Sequence, residues 1–250
     1  MDDITFNRFE KFVSEVTDFK EEFRKIKAND AVSFELKEDE TPVTQIDYLI
    51  EKSIRESIFE TFPSHSIVGE EYPDTLQKSS FKWIIDPVDG TFSLTRGVPL
   101  YGILLGLLNN NTPLYGSVRF PLLQKLICGD GQVAYENGNT LRCDNSISLE
   151  QSLILTTDEN RINSSKYKSS WERLNDLVSS RRTWGDCYGY YLVCSGKAQV
   201  MFDIDLKPCD IIPLIPIIKG SGCEIIELEK PYKDIIVCTK SLKREILECF

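Results

Sequence analysis

Two aspartates three residues apart follow an apolar run in the segment FKWIIDPVDGTFSL, residues 81–94. Asp86 comes directly after the run, and Pro87 ends a strand there because proline has no N–H to donate. Gly90 permits a bend that lets Asp86 and Asp89 turn toward one point. Two converging carboxylates repel each other unless a cation lies between them. The segment therefore predicts a divalent cation site at the end of a strand.

The donor atoms of this segment favour one class of metal. Hard oxygen ligands select Mg²⁺, Mn²⁺ or Ca²⁺ over zinc, and the single histidine of the chain, His65, makes zinc less favourable still. Gly90 and Thr91 add backbone N–H groups and a hydroxyl, which form an anion site if a helix starts at Ser93. A cation cluster beside an anion site is typical of phosphate binding. The same residues also favour an ordinary turn, and that alternative stays open on this segment alone.

Three further segments carry acids that could join the cation site. VGEE contributes Glu70 and Glu71 after a short apolar stretch. TPVTQID contributes Thr44 and Asp47 near a helix start, and LKPCD places Asp210 at the start of an apolar helix. Each acid alone has an ordinary interpretation, which is a solvated loop end for the glutamates and a helix-capping or first-turn position for the aspartates.

The order of these segments, an aspartate, GEE, DPVDGT and a late aspartate that opens a helix, resembles the inositol monophosphatase family of metal-dependent phosphomonoesterases. The resemblance extends from KEDETPVTQID to GSGCEI, which is nearly the whole chain. It implies a layered α-β-α-β-α sandwich of the inositol monophosphatase and sugar phosphatase type. Two positions depart from the family: Cys209 stands where a tryptophan usually precedes the late aspartate, and KGSG, residues 219–222, stands where Glu-Ala-Gly-Gly is usual. Neither departure removes a metal ligand.

The resemblance also implies a set of metal ligands, position by position. Glu70 and Asp86, with the main-chain carbonyl of Val88, would hold one Mg²⁺. Asp86, Asp89 and Asp210 would hold a second ion, and Glu70 would help a third, weaker ion through water. Mn²⁺ stays open as the metal in place of Mg²⁺.

Catalytic roles follow from the same resemblance. Thr91, hydrogen-bonded to Asp47, would orient the attacking water and help to deprotonate it, and Glu70 is counted with them as catalytic. The amides of Gly90 and Thr91 would hold the phosphate. The physics agrees with this assignment, because metal ions lower the pKa of bound water and neutralise charge on an in-line transition state, while the protein supplies position.

The segment RRTWGDCYGYYLVCSGKAQVMFDIDLKPCD bears on the leaving group, and it resembles the histidinol-phosphatase branch more than the inositol branch. Gly185 is followed by Asp186, and Asp203 precedes Asp210 at a position where the family commonly has a substrate-contacting acid. Asp186 is equally well explained as a helix N-cap. The main hypothesis is therefore a Mg²⁺-dependent phosphomonoesterase that converts histidinol phosphate and water to histidinol and phosphate in histidine biosynthesis.

Three alternatives stay open beside this hypothesis. One is an inositol-1-monophosphatase or another phosphatase of small sugars or nucleotides. A second is an aspartate-nucleophile phosphatase of the haloacid-dehalogenase type, but its motif needs Asp-x-Asp, and Asp86 and Asp89 are one residue further apart. The third is a catalytically silent homologue that binds metal or a phosphorylated ligand.

The elements that must position these residues are predicted from hydrophobic periodicity. Apolar residues at helical spacing predict helices over residues 4–27 and 44–59, with β-structure after Gly97. The first half, residues 1–145, reads as α+β with an antiparallel sheet and most of the metal ligands. The second half, residues 146–250, alternates strands and helices as in an α/β protein and carries the late aspartate and the substrate-side residues. The overall class is α/β, and both halves are expected to form one compact body.

Composition excludes several partners. The net charge of −10 argues against nucleic acid, whose phosphates require clustered Lys and Arg. No apolar run is long enough to cross a membrane, and the acidic start MDDITFNRFEKF does not read as a secretory signal. Eight cysteines without a CxxC pair favour reduced thiols and a cytoplasmic location. The expected partner is a small phosphorylated metabolite, and a homodimer is expected from the family alone.

Overall fold

The computed structural model of the protein describes residues 4–28, 33–37 and 42–250. The first three residues and residues 38–41, within the segment KEDETPVTQID, lie outside the described residues. The helices are α1 (Phe6–Val16), α2 (Lys20–Ala28), α3 (Gln45–Thr61), α4 (Thr91–Thr95), α5 (Glu159–Asn163), α6 (Lys168–Asp176), α7 (Asp186–Cys194), α8 (Pro208–Ile211), α9 (Ile215–Gly220) and α10 (Lys243–Leu247). The strands are β1 (Phe34–Leu36), β2 (Pro42–Thr44), β3 (Ser66–Gly69), β4 (Phe81–Asp89), β5 (Gly102–Asn109), β6 (Thr112–Phe120), β7 (Lys125–Gly129), β8 (Ala134–Glu136), β9 (Asn139–Thr140), β10 (Leu153–Leu155), β11 (Ser180–Arg182), β12 (Val200–Asp203), β13 (Cys223–Glu227) and β14 (Ile235–Thr239). Single 3₁₀ turns lie at Leu149–Gln151, Ile212–Leu214 and Lys240–Leu242.

Two large sheets organise the described chain. A seven-stranded sheet has the order β3-β4-β5-β6-β7-β8-β9, and a five-stranded sheet has the order β11-β10-β12-β14-β13. The first sheet is antiparallel as predicted except at its edge, where β3 runs parallel to β4. In the second sheet β10 is parallel to β11 and β12, whereas β14 is antiparallel to both of its neighbours.

Helices lie in three layers around these sheets. On one side of the seven-stranded sheet, Phe9 of α1 and Ile50 of α3 pack against Trp83 of β4. Between the sheets, α7 and α9 contribute to a core that also includes Val118 of β6 and Met201 of β12. Beyond the five-stranded sheet, α5, α6 and α10 cover a third core. The layered α-β-α-β-α sandwich expected from the sequence is therefore confirmed.

The predicted single helix over residues 4–27 is wrong, because the chain breaks between α1 and α2. The N–H and the hydroxyl of Thr17 both donate to the carbonyl of Val13, at 3.1 and 2.6 Å. A threonine hydroxyl that bonds a backbone carbonyl competes with helix continuation. Phe9 and Phe23 belong to the same core on either side of the break, so the apolar pattern continues through it and hides it.

Two other predicted helices have different bounds in the structure. The apolar helix predicted to start at Asp210 consists of α8, a 3₁₀ turn and α9. Pro213 and Pro216 interrupt it, because they donate no backbone hydrogen bond and crowd the preceding turn. The anion site suggested for Gly90 and Thr91 depended on a helix that starts at Ser93, and the helix starts at Thr91 instead, with Gly90 at its N-cap.

Among the described residues, no helix combines the length and the apolar character that a membrane crossing requires. All eight cysteines carry free thiols, and seven of them are buried, with Cys143 partly exposed. The expectation of reduced thiols agrees with this placement.

Candidate active site

Three aspartates meet where β4 ends. The pairing of β4 with β5 is irregular between Asp86 and Asp89, and the N–H of Val88 donates to Asp86 Oδ1 at 3.0 Å. Pro87 cannot donate, so the strand bends and both carboxylates turn to one side. Asp210 enters from α8, and one carboxylate oxygen from each of the three aspartates lies within 4.8 Å of the other two.

The electrostatics of this cluster favour a bound cation. Burial raises the pKa of Asp86 well above its ordinary value, and the charges of Glu70 and Asp89 add to the effect. Burial and the charge of Asp186 likewise raise the pKa of Asp89, and burial raises that of Asp210. The second carboxylate oxygen of Asp86, a residue only 2% exposed, accepts no hydrogen bond from any residue that the structure describes. These oxygen donors fit a hard divalent ion such as Mg²⁺.

Glu70 brings a second group of donor atoms together. A carboxylate oxygen of Glu70, one of Asp86 and the sulfur of Cys209 all lie within 4.8 Å of one another. The sequence predicted the pairing of Glu70 with Asp86, but it did not predict a thiol beside them. Asp86 belongs to both groups, so it is the residue that two neighbouring cation positions would share.

Two lysines also reach Glu70, and the sequence alone gave no reason to include them. Lys37 Nζ lies 2.9 Å from Glu70 Oε1 and 2.6 Å from Glu71 Oε1. Lys207 Nζ lies 3.3 Å from Glu70 Oε1. Lys37 is 33 positions away in the chain, so spacing gave no signal for this contact. The acids of the GEE segment are therefore ion-paired within the protein.

Asp47 and Thr91 are brought together as predicted. Thr91 Oγ1 lies 3.3 Å from Asp47 Oδ1 and 2.8 Å from the carbonyl of Val88. A hydroxyl has one proton to donate, and the shorter distance assigns it to Val88 in this arrangement. The other oxygen of Asp47 accepts the N–H and the hydroxyl of Thr44, at 2.9 and 2.5 Å, so the carboxylate is fixed at the start of α3.

A buried glutamate holds the backbone of the GEE segment. Glu51 on α3 is fully buried, pairs with Arg55 at 2.7 Å, and accepts the N–H of Glu71 at 2.7 Å and that of Tyr72 at 3.2 Å. Arg55 also donates to the carbonyl of Tyr72 at 3.0 Å. Sequence reasoning missed Glu51. Its one signal was an acid four residues after Asp47, on the face of α3 that carries buried isoleucines.

Asp186 lies at the edge of this cluster. Its carboxylate lies beside Gly90, because a side chain placed on this glycine would have its Cβ 3.2 Å from Asp186 Oδ2. No described residue donates a hydrogen bond to the side chain of Asp186. The proposed capping role is wrong, because Gly185 is the N-cap of α7 and Asp186 is its first residue, with φ 49°. Burial, followed by the charge of Asp203, raises the pKa of Asp186 to about 7.

Asp203 is fully engaged inside the protein. Its carboxylate accepts the N–H and the hydroxyl of Thr157, both at 2.8 Å, and the hydroxyl of Tyr190 at 3.3 Å. The hydroxyl of Thr157 in turn accepts the N–H of Asp186 at 2.9 Å. Only glycine is tolerated at Gly185, because a Cβ there would collide with Thr157. These contacts link Asp203 to Asp186.

The aromatic residues of this region divide between core and surface. Tyr190 is buried in the core between the sheets, whereas Trp184 is 43% exposed beside Gly185. At the start of α7, the N–H of Cys187 donates to the carboxylate of Asp89. The helix N-terminus therefore faces an acid of the cluster, which stabilises its negative charge.

Comparison with known proteins agrees with this geometry. The model of the inositol monophosphatase family matches residues 12–247. A histidinol-phosphatase of Chlorobaculum parvum is 34% identical over 187 residues, which cover 74% of this chain and 72% of that protein. A fructose-1,6-bisphosphatase/inositol-1-monophosphatase of Aquifex aeolicus is 30% identical over 235 residues, which cover 92% of this chain and 88% of that protein.

The fold has a solved counterpart in the extragenic suppressor protein suhB of Bartonella henselae. The TM-score is 0.87 at 19% identity, and the match covers 96% of this chain and 97% of that one. At this identity the likeness shows the fold alone. The family match spans nearly the whole chain, however, so this protein belongs to the inositol monophosphatase family and is a metal-dependent phosphomonoesterase.

Proposed function

We propose that this protein is a histidinol-phosphatase, which uses Mg²⁺ to hydrolyse histidinol phosphate to histidinol and phosphate. The proposal rests mainly on the position of the Asp186 side chain in the site. Its carboxylate lies beside Gly90 and accepts no hydrogen bond from the described protein, so it is available to a ligand. The name of the Chlorobaculum parvum relative supports the same substrate.

The chemistry of the leaving group matches an acid at this position. Histidinol phosphate carries a primary ammonium and an imidazole, whereas inositol phosphate has only hydroxyls beyond its phosphate. Asp186 has a pKa raised to about 7 by burial and then by Asp203, so a cationic leaving group would offset the cost of its negative charge. A charge-assisted hydrogen bond of this kind contributes roughly 1.5–3 kcal/mol.

The acids of the cluster would hold Mg²⁺ in two neighbouring positions. Glu70 and Asp86, with the carbonyl of Val88, would form one, and Asp86, Asp89 and Asp210 would form the other, with a third ion near Glu70 through water. Mg²⁺ bound there lowers the pKa of a water and neutralises phosphate charge, and Mn²⁺ could replace it. Glu70 is paired with lysines in the present arrangement, so ion binding must displace or reorient them.

Asp47 and Thr91 would orient the attacking water. Asp47 is fixed by Thr44, and its second oxygen lies 3.3 Å from Thr91 Oγ1, so this oxygen would accept a proton through the hydroxyl once the hydroxyl turns away from the carbonyl of Val88. Burial raises the pKa of Asp47, which favours proton acceptance. The amides of Gly90 and Thr91 are proposed to bind the phosphate.

Asp203 would act through its neighbours in this proposal. Both of its oxygens are engaged, and Thr157 connects it to the backbone of Asp186. A direct contact between Asp203 and the substrate stays a prediction. The network better supports a positioning role, in which Asp203 sets the direction of the Asp186 side chain.

An inositol-1-monophosphatase, or a phosphatase of other small sugars or nucleotides, is the second candidate. The match to the Aquifex aeolicus relative covers 92% of the chain, more than the match to the histidinol-phosphatase. The cytoplasm is the proposed location, on the ground of the free thiols, and a homodimer stays a family-level expectation.

Phosphate release from a panel of esters with Mg²⁺ tests the proposal. The panel contains histidinol phosphate, inositol phosphates, sugar phosphates and 3′-phosphonucleotides. We expect the highest kcat/KM for histidinol phosphate. A clear preference for an inositol phosphate would replace the first candidate by the second, and tight metal binding without turnover of any ester would favour a silent homologue.

A further inference from the structure

The strongest feature that the proposed reaction does not use is the thiol of Cys209. This residue lies on α8 directly before Asp210. Its sulfur lies within 4.8 Å of a carboxylate oxygen of Glu70 and of one from Asp86. We propose that Cys209 is a sulfur ligand of this cation position, which therefore binds thiophilic divalent ions such as Zn²⁺, Co²⁺ or Cd²⁺ as well as Mg²⁺.

The spacing of the donor atoms is compatible with a shared ion. Zinc–sulfur bonds are about 2.3 Å long and zinc–oxygen bonds about 2.0–2.2 Å, so two ligand atoms of one ion are at most about 4.5 Å apart. The donor atoms of Glu70, Asp86 and Cys209 all lie within 4.8 Å of one another, which is close to that span. Small rotations would bring the Asp86 and Cys209 atoms onto one ion, and Glu70 would join them once Lys37 and Lys207 are displaced from it.

Packing fixes the thiol in this place. Cys209 is 8% exposed and lies in a small apolar cluster with Ile84, Leu108 and Ile212. Asp86 is the most buried acid of the group, and its second oxygen lacks a hydrogen-bond donor among the described residues. The sulfur of Cys209 and a carboxylate oxygen of Asp86 therefore lie near each other at a largely buried position, where one cation would contact both.

Sulfur changes which ion such a site prefers. A thiol adds little to the binding of Mg²⁺, which takes oxygen ligands, whereas Zn²⁺, Co²⁺ and Cd²⁺ gain from a thiolate. The thiol lies 3.3 Å from Asp210 Oδ1, to which it can donate its proton. When a thiophilic ion binds, the sulfur–hydrogen bond breaks, the proton passes to the buffer, and the electron pair forms the sulfur–metal bond.

The inference rests on the cation site of the proposed function, but it can be tested without substrate. Metal-free protein is titrated with Co²⁺, and the near-ultraviolet sulfur-to-cobalt charge-transfer band is recorded. We expect a band that saturates at one ion per chain in the unmodified protein and in Cys143→Ser, a control at a partly exposed cysteine. Cys209→Ser should lose the band and bind Cd²⁺ about 10-fold or more weakly, with Mg²⁺ affinity nearly unchanged.

Several outcomes would overturn the proposal. One is a band that persists in Cys209→Ser, and another is Co²⁺ binding to the unmodified protein without a band. If Cys209→Ser does not fold, the cadmium-113 NMR chemical shift of the unmodified protein tests the sulfur ligand instead. A shift within the range of all-oxygen sites would overturn the proposal, because sulfur ligation moves the shift far from that range. Mg²⁺-dependent phosphate release without the band would refute only the sulfur ligand. The band without release of phosphate from any ester would refute only the proposed function.

Discussion

The buried carboxylate of Glu51 occupies the space that a side chain on Gly69 would need. A Cβ at Gly69 would collide with Glu51 Oε1, and the same carboxylate accepts the N–H groups of Glu71 and Tyr72. The glycine of the GEE segment is therefore required for close approach to an acid on α3. Glu51 in this way determines where the backbone of Glu70 lies, although it is not close enough to be one of the grouped metal ligands.

Glu51→Gln should consequently weaken metal binding more than the chemical step. The amide keeps the volume of the side chain, but it loses the charge that pairs with Arg55 and binds the two backbone N–H groups. We expect the Mg²⁺ concentration for half-maximal activity to rise about 10-fold or more, with kcat at saturating Mg²⁺ much less affected. Glu56→Gln, at an exposed position of the same helix, is the control. An unchanged Mg²⁺ requirement would contradict the positioning role of Glu51.

Asp89→Asn should lower kcat by at least about 10²-fold, because it weakens a ligand whose metal stabilises charge in the transition state. The fold should survive, since the amide removes one of several mutually repelling buried charges. Steady-state kinetics at saturating Mg²⁺ and circular dichroism measure the two effects. Near-normal turnover would remove Asp89 from the set of metal ligands.

The metal-free protein should become less stable as the pH rises. Burial raises the folded-state pKa of Asp86, Asp89 and Asp210 above the unfolded value of about 3.9. Their contribution to stability is therefore fully present below the unfolded pKa and is lost as the pH rises through the raised folded pKa. Bound Mg²⁺ should reverse this loss of stability at higher pH, because the ion stabilises the ionised carboxylates in the folded protein.

Urea unfolding with a chelator and with Mg²⁺, from about pH 4 to neutral pH, measures this effect. We expect the difference in unfolding free energy between the two conditions to grow with pH and to shrink in Asp89→Asn. A difference that is independent of pH would show that the carboxylates do not couple metal binding to stability.

The DPVDGT segment could be interpreted from the sequence because its geometry is local. The bend at Asp86 depends on Pro87 and Val88, its immediate neighbours, and the resemblance to a known family then supplied Asp210. The supports of the site are not local. Glu51 meets Glu71 across 20 positions, and no propensity or periodicity encodes such a contact.

The same distinction explains the outcomes at the end of α1 and at the end of β12. The break at Thr17, whose hydroxyl bonds the carbonyl of Val13, leaves the apolar pattern intact, so the periodicity predicted one helix. The sequence predicted Asp203 as a substrate contact from its residue type and its place before Asp210. Its hydrogen-bond partner Thr157 is 46 positions away, and only the folded sheet brings the two residues together. The local turn conformation could therefore be predicted from this sequence, whereas the contacts between distant residues that orient the acids could not.

Thr91→Val should lower the rate of the chemical step, measured as kcat, about 10²-fold and leave the affinity for the metal nearly unchanged. Valine keeps the shape of threonine and removes the hydroxyl that lies 3.3 Å from Asp47. Because the two residues act as a unit, Thr91→Val with Asp47→Asn should cost little beyond the worse single change. Thr95→Val in the same helix is the control, and fully additive losses in kcat would show that Thr91 and Asp47 work separately.

The last prediction concerns Asp186 and the choice of substrate. Asp186→Asn removes the negative charge beside Gly90 but keeps nearly the same shape, so it should affect a cationic leaving group selectively. A charge-assisted hydrogen bond worth roughly 1.5–3 kcal/mol corresponds to about 10–100-fold in kcat/KM. We expect a loss of that size for histidinol phosphate and a much smaller loss for p-nitrophenyl phosphate, whose leaving group is not a cation.

Two companion variants separate a direct contact from positioning. Asp203→Asn disturbs the carboxylate that Thr157 and Tyr190 hold, so its loss should resemble that of Asp186→Asn and add little to it in the double variant. Asp176→Asn, at an exposed position of α6, should leave both substrates unaffected. Equal losses of Asp186→Asn on the two substrates would indicate a distorted site. A silent Asp186→Asn would remove this residue from recognition of the leaving group, because an amide cannot replace the charge that a cation requires.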